Sequence, residues 1–382
     1  MNKYQLFLLL IGLTFTANCL AVGNTFYPDS DDVILLSLPV GSSTTVKTED
    51  LQENDPRKIA ALVNRYLSLS AETGDERYLG YADTLLQKTN SDNVELQLAR
   101  AALLQRRHQF TLALNELNKI LQTESYHAQA NLMAAYIYMA QGKGKEALPY
   151  CAKAGAVYGE LTGLSCSASA QSLLGQLQTN YQTLSVVFNL RRGSKVELRE
   201  AALSLAEIAR MRGDYALAAE HYQQALSLDP RNQFLLMRLA DLYIARGYHE
   251  ACLDLLQEHQ QHQNLLLRAA IADKHLHGQV QADRYKRLSN YFELEQLRNP
   301  DQATRDYAEY LYHIQNQPDK ALSIALQNWQ SQREVADAEL LVRTAIAAQN
   351  IDVLNPLLEW IRTVGLRDAK IEQQLAAVNI EL

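Results

Sequence analysis

Apolar residues recur three and four positions apart from about Pro56 to the C-terminus, and strand-like alternation is nearly absent. Gly or Asn interrupts this pattern at intervals of roughly 12 to 18 residues. Such spacing is typical of amphipathic α-helices joined by short turns. The pattern therefore predicts an all-α protein made of consecutive helices.

The stretch RGDYALAAEHYQQALSLDP, residues 212–230, shows how one unit is built. Gly213 can adopt the left-handed conformation that ends the preceding helix. Pro230 stops the following helix because it lacks an N–H donor and restricts the residue before it. That helix carries one apolar stripe, formed by Tyr215, Ala218, Tyr222 and Ala225. A helix hairpin with two apolar stripes needs a neighbouring hairpin to cover the surplus, so we expect the unit to recur.

The unit does recur, because Ala113 and Ala147 are 34 residues apart and Ala218 and Ala251 are 33 apart. The clearest copies are 94–127, 128–160, 199–232 and 233–262. This helix–turn–helix pattern, with GDYALAAEHYQQALSLDP as its best copy, resembles the tetratricopeptide repeat. The resemblance implies an α-solenoid over 56–382, a right-handed superhelix of about eight hairpins in which the less regular copies fill the rest.

Two further stretches, ETGDERYLGYAD and the tail from NWQSQREVADAELLV onward, resemble exported bacterial proteins built only of such repeats. This likeness implies export and an all-repeat layout. The repeat family as a whole implies a protein-binding scaffold and not an enzyme.

The N-terminus reads as an export signal, residues 1–21. Its apolar run LFLLLIGLTF is too short to span a bilayer and is followed by small residues. Cleavage after Ala21 would release the chain into the periplasm; the alternative is a lipoprotein anchored through Cys19. Residues 22–55 form an extended segment and linker, and the apolar part 33–39 either caps the first hairpin or occupies the groove. We expect no transmembrane segment in the mature chain.

Three cysteines remain after the signal in an oxidising compartment. Cys151 and Cys166 fall on consecutive predicted helices and are predicted to form a disulfide; the alternative is two buried thiols. Cys252 stands where the repeat has alanine and is predicted to lie in the core.

The formal net charge of −7 and the pI of about 5.8 argue against a nucleic-acid partner. The sequence has no Gly-rich phosphate loop, zinc-protease helix or Gly-x-Ser-x-Gly elbow, so we expect neither an enzyme nor a cofactor. Histidines cluster between His249 and His277. His259, His262 and His275 could bind a transition metal, although a polar rim at a repeat junction is the simpler interpretation.

The concave wall of such a solenoid is made chiefly by the first helix of each hairpin. Eight positions next to the buried stripes are predicted to face it: Gln105, Arg106, Tyr136, Met139, Glu207, Arg210, Asp241 and Ile244. Their mixed character suits an extended peptide or a partner helix. The predicted function is an exported adaptor for a protein or peptide, and self-association is the alternative.

Overall fold

A computed structural model describes residues 52–89, 91–298 and 303–382. Within these residues all regular structure is helical, which confirms the predicted all-α solenoid. The signal peptide, Cys19, Ala21 and the segment 33–39 lie outside the described residues, as does most of 22–55.

The helices are α1 (Pro56–Thr73), α2 (Arg77–Gln87), α3 (Val94–Arg106), α4 (Phe110–Thr123), α5 (Ala128–Ala140), α6 (Gly144–Tyr158), α7 (Glu160–Ser172), α8 (Leu177–Asn189), α9 (Lys195–Met211), α10 (Tyr215–Leu228), α11 (Gln233–Ala245), α12 (His249–Leu256), α13 (Gln263–His277), α14 (Ala282–Arg298), α15 (Arg305–Glu309), α16 (Pro318–Ser331), α17 (Val335–Ala347), α18 (Asn355–Val364) and α19 (Ala369–Ala376).

Side-chain caps and left-handed turns set the helix limits. Ser194 and Glu197 form a capping box that starts α9, and the side chain of Asn232 accepts a hydrogen bond from the Leu235 N–H at the start of α11. Gly213 lies in the turn between α9 and α10 with φ of 83°, as its position in the repeat predicts. These local signals explain why the helices begin and end where the sequence pattern breaks.

Consecutive helices pair into nine hairpins over the described residues, where about eight were expected, and α19 follows the last of them. A π-helical turn, Tyr310–Ile314, extends α15, and a 3₁₀ turn, Ile351–Leu354, precedes α18. First helices of neighbouring hairpins also touch, for example α1 with α3 and α7 with α9. Each hairpin therefore buries the face that its neighbour leaves open.

Helices α6 and α7 approach each other closely. A Cβ built on Gly155 would lie 2.5 Å from the Cα of Gly163, a distance that only glycine allows. The structure joins Cys151 on α6 to Cys166 on α7 by a disulfide, with Cα atoms 5.4 Å apart. Cys252 is a buried free thiol. The disulfide thus links the third hairpin to the fourth.

The C-terminal helices return to the ends of earlier first helices. The Arg333 N–H donates to the Ala140 carbonyl at the end of α5, at 2.8 Å. A Cβ on Gly175, just after α7, would lie 2.2 Å from the Gly365 carbonyl oxygen. One apolar cluster runs through Leu161, Leu205, Leu341 and Leu375, so this return is part of the core. In the described part of the chain, no helix has the length and apolar character needed to cross a membrane.

Candidate functional site

Each of five consecutive first helices carries one largely buried arginine. They are Arg210 on α9, Arg238 on α11, Arg268 on α13, Arg305 on α15 and Arg343 on α17. Arg268 is only 2% exposed and Arg210 only 8%. Buried charges are tolerated only when they are paired and hydrogen-bonded, so the partners of these arginines organise the surrounding structure.

Arg210 ties the middle of the chain to its C-terminus. Its guanidinium contacts Glu207 one turn earlier on α9 and Glu339 on α17. Its Nη1 also lies 3.3 Å from Oδ2 of Asp368, which caps α19. Glu339 receives a second cation, because Lys370 Nζ lies 3.0 Å from its Oε2.

The other four arginines bind carboxylates that lie mostly on neighbouring first helices. Arg238 is paired with Glu207, Arg268 with Asp241 (2.8 Å) and Asp306 (2.5 Å), Arg305 with Glu334 (2.5 Å) and Asp337 (2.7 Å), and Arg343 with Glu309 (2.5 Å). These five arginines, Lys370 and the eight carboxylates bonded to them are called here the arginine network. It links α9, α11, α13, α15, α17 and α19 through charged groups, because every pair except Arg210 with Glu207 joins groups on different helices or their caps.

The carboxylates of the network differ sharply in acidity. Burial alone would raise the pKa of Glu207, but Arg238 and Arg210 lower that pKa to about 2. Burial raises the pKa of Asp368 to about 6, because the nearby Glu339 carboxylate adds to the burial effect and Arg210 offsets only part of it. Asp368 is therefore a network acid whose charge changes near neutral pH.

Substituting Asp368 with asparagine should change how stability depends on pH. A carboxyl whose pKa is raised on folding contributes stability at low pH, and that contribution is lost as the pH rises through the folded-state pKa. From pH 5.0 to 7.5, the variant should gain roughly 1.4 kcal/mol in unfolding free energy relative to the wild type. Urea unfolding at several pH values measures this, with D352N at an exposed position as control. A difference that stays constant or falls would contradict the prediction.

The arginine network surrounds a cavity of about 210 Å³, called the chamber. Its lining includes all six network cations, the carboxylates of Asp241, Glu309 and Glu339, and apolar side chains such as Leu242 and Ile271. Charged groups set among apolar ones are usual in ligand-binding concavities. The chamber is smaller than most sites for drug-sized molecules, so it suits one side chain or a short stretch of chain.

The eight predicted groove residues divide into two sets. Asp241, Ile244 and Arg210 line the chamber, and Glu207 lies directly behind it in the network. Arg210 is committed to Glu339 and Asp368, so changing it tests folding more than partner binding.

The other four groove residues lie elsewhere. Arg106 is exposed and borders a cleft of about 850 Å³, together with Arg77, Arg107 and Arg298, and Gln105 is half-buried on the same helix end. Tyr136 is 37% exposed, and Met139 packs against the core. The prediction that these eight side chains contact a partner stays a prediction.

The three histidines proposed as metal ligands do not come together. His275 stacks on His249 with ring centroids 4.7 Å apart and also lies near His313. His262 instead contacts Gln233 on α11 at 3.2 Å. Over residues 52–89, 91–298 and 303–382, no group of three or more His, Cys, Asp or Glu side chains is placed to hold a metal ion.

Sequence reasoning missed Arg238, Arg268, Arg305 and Arg343. Arg238 and Arg268 are 30 residues apart, and Arg268 and Arg305 are 37 residues apart. These separations depart from the repeat period because turns and helices vary in length. The available signal was that each of the four first helices α11, α13, α15 and α17 contains a single arginine.

The match to one family model is consistent with the repeated hairpins. The tetratricopeptide repeat model matches residues 200–232. Among solved structures, the chain is similar to a Rap protein complexed with competence and sporulation factor, at 12% identity over 83% of this chain and 90% of that one, with a TM-score of 0.49.

Two other solved structures are similar to the chain. A tetratricopeptide repeat protein from Parabacteroides merdae ATCC 43184 has 17% identity over 74% of this chain and 99% of that one, with a TM-score of 0.37. The APC/C hetero-tetramer Cut9–Hcn1 has 13% identity over 87% of this chain and 68% of that one, with a TM-score of 0.47. No curated protein matches this sequence.

Proposed function

We propose that this chain, which is a tetratricopeptide-repeat protein, is an exported scaffold that binds a protein or peptide partner against the first helices around the chamber. The observation that carries the proposal is the chamber itself, where five first helices converge on one cavity with both charged and apolar lining. A peptide offers that same mixture along its length, because main-chain polar groups alternate with side chains.

Export is the second part of the proposal, and it is supported by the N-terminal sequence. The run LFLLLIGLTF with the small residues after it is typical of a secretory signal. A disulfide between Cys151 and Cys166 fits an oxidising compartment. The proposed function of this chain is binding alone, without a catalytic step.

Site-specific cross-linking in cells tests this proposal. A photo-activated cross-linker at Ile244, which lines the chamber, should capture a partner that mass spectrometry then identifies. The matched control places the cross-linker at Leu217, which is 39% exposed on the second helix α10. A product formed at Ile244 and not at Leu217 supports binding at the first helices. Equal capture at both positions would contradict it.

Self-association is the competing interpretation, and the outer helices offer some exposed apolar side chains for it. Val157 on α6, Val186 on α8 and Leu190 after α8 are each more than half exposed. Light scattering over a range of concentrations decides between the two. A mass that rises with concentration favours self-association, whereas a constant monomer mass removes it.

A further inference from the structure

We propose that the chamber accepts a positively charged organic group, the ammonium or guanidinium of a basic side chain on the bound peptide. This inference rests on the proposed function, because it names the chemistry of the partner at the same site. An arginine-rich wall would ordinarily suggest an anionic ligand. Over the whole arginine network, however, acids outnumber bases, and this excess favours a cationic ligand.

The arginine network holds more acids than bases. Its bases are five arginines and Lys370, and its eight acids are Glu207, Asp241, Asp306, Glu309, Glu334, Asp337, Glu339 and Asp368. Among the ion pairs of the described residues, the only other cation that meets these acids is His313, which contacts Glu309 and is charged only when protonated. With His313 neutral and all eight acids ionised, the network carries two uncompensated negative charges. An added cation would relieve this excess, whereas an added anion would increase it.

Two of the buried acids agree with this count, whereas neighbouring cations lower the pKa of Glu207, Glu309, Glu334 and Glu339. Burial raises the pKa of Asp337 and of Asp368, and a second carboxylate adds to the rise at each of them, Glu334 at Asp337 and Glu339 at Asp368. Each shift means that the network holds a proton more readily than isolated carboxyls would. A bound cation could take over the role of that proton.

Two buried polar atoms on the chamber wall lack hydrogen-bond partners among the described residues. Oε1 of Gln374 is an acceptor without a donor, and Nε of Arg343 is a donor without an acceptor. Buried polar groups are normally satisfied, so each of these atoms is available for a hydrogen bond to a ligand. A basic residue within a peptide supplies both needs, N–H donors from its side chain and a carbonyl acceptor from its main chain.

Asp241 is the network acid best placed to meet an incoming group. Its side chain is 37% exposed and it lines the chamber, whereas Glu339 is 10% exposed. Its only ion-pair partner within the described residues is Arg268, which also binds Asp306. Asp241 can therefore turn toward a ligand while Arg268 stays paired.

Calorimetry with capped tripeptides tests the inference on the purified chain. The probes are acetyl-Ala-Lys-Ala-amide, its glutamate and alanine counterparts, and free 1,4-diaminobutane. We expect the lysyl peptide to bind roughly tenfold more tightly than the alanyl peptide at pH 7.5, the ratio of about one charge-assisted hydrogen bond. The glutamyl peptide should bind more weakly than either, and the diamine more weakly than the lysyl peptide because it brings no carbonyl. Equal binding of the lysyl and alanyl peptides, or tighter binding of the glutamyl peptide, would overturn the inference. If the diamine binds as well as the lysyl peptide, the assignment to a peptide-borne group is wrong.

The variant D241N supplies the site-specific test, with D352N at an exposed position outside the chamber as control. D241N should abolish most of the lysyl preference while D352N keeps it. A melting temperature near that of the wild type shows that D241N is folded. Should it unfold, the ratio between lysyl and alanyl peptides on the wild type still decides the matter.

The outcomes separate this inference from the proposed function. Lysyl preference without any partner captured at Ile244 leaves the chemistry of the chamber standing and removes the proposed scaffold role there. A captured partner together with equal peptide binding keeps the scaffold and overturns only the cationic preference.

Discussion

Replacing Arg210 with methionine is expected to lower the free energy of unfolding by about 3 to 5 kcal/mol. Arg210 is 8% exposed, and its guanidinium contacts Glu207, Glu339 and Asp368. Removing one partner of a buried ion pair leaves the others charged and desolvated, which costs more than the pair itself contributes. Methionine fills similar space, so the loss reports the charge and not a cavity.

The cost of this substitution should fall on acidification. Glu207 keeps Arg238 and Glu339 keeps Lys370, but Asp368 loses the only cation that its ion pairs provide within the described residues. Without Arg210 its pKa should rise further above the value of about 6, since Arg210 is what holds it down. A protonated Asp368 needs no cation, so R210M should be closer to the wild type at pH 5 than at pH 7.5.

Urea unfolding followed by circular dichroism measures the loss, and hydrogen exchange locates it. Unfolding of a repeat array can occur in parts, so exchange in α17 and α19 should rise before exchange in α3 and α4. The matched control is Arg106, which is exposed, and R106M should change stability by about 0.5 kcal/mol or less. A loss below about 1 kcal/mol for R210M would show that Arg210 is not the central ion pair described here.

Local sequence signals were sufficient to predict the helical hairpins. Gly213 and Pro230 marked the ends of helices, and the apolar stripe of Tyr215, Ala218, Tyr222 and Ala225 became buried or half-buried. These features depend on neighbours within a few residues, so their physical causes are visible in a short window. The fold class and the family resemblance were therefore confirmed.

The return of the C-terminus was not predictable in the same way. Arg210 meets Glu339 and Asp368 across 129 and 158 residues of sequence, a separation set by the summed rotation of several hairpins. Small differences in turn length accumulate over that distance, so a single sequence does not show which face of α9 stays open. This is why Arg210 looked like a groove residue and the chamber was not foreseen.

Removing the disulfide between Cys151 and Cys166 is expected to cost about 3 kcal/mol, the value for a closed loop of about 15 residues. The double variant C151A/C166A keeps the close contact of Gly155 with Gly163, so α6 and α7 should still pack in their native arrangement. The loss should therefore come mainly from the greater freedom of the unfolded loop. Urea unfolding of the oxidised wild type and the double variant measures it.

A reducing agent provides the internal check on this prediction, because it should destabilise the wild type by a similar amount and leave C151A/C166A unchanged. C252A is the matched control, since Cys252 is a buried thiol without a bond and its loss removes only packing. The bridge joins the third hairpin to the fourth, and neighbouring repeats stabilise each other chiefly across such junctions. Faster hydrogen exchange should therefore concentrate in α6 and α7. A wild type indifferent to reductant would mean that the two sulfurs are unbonded in solution.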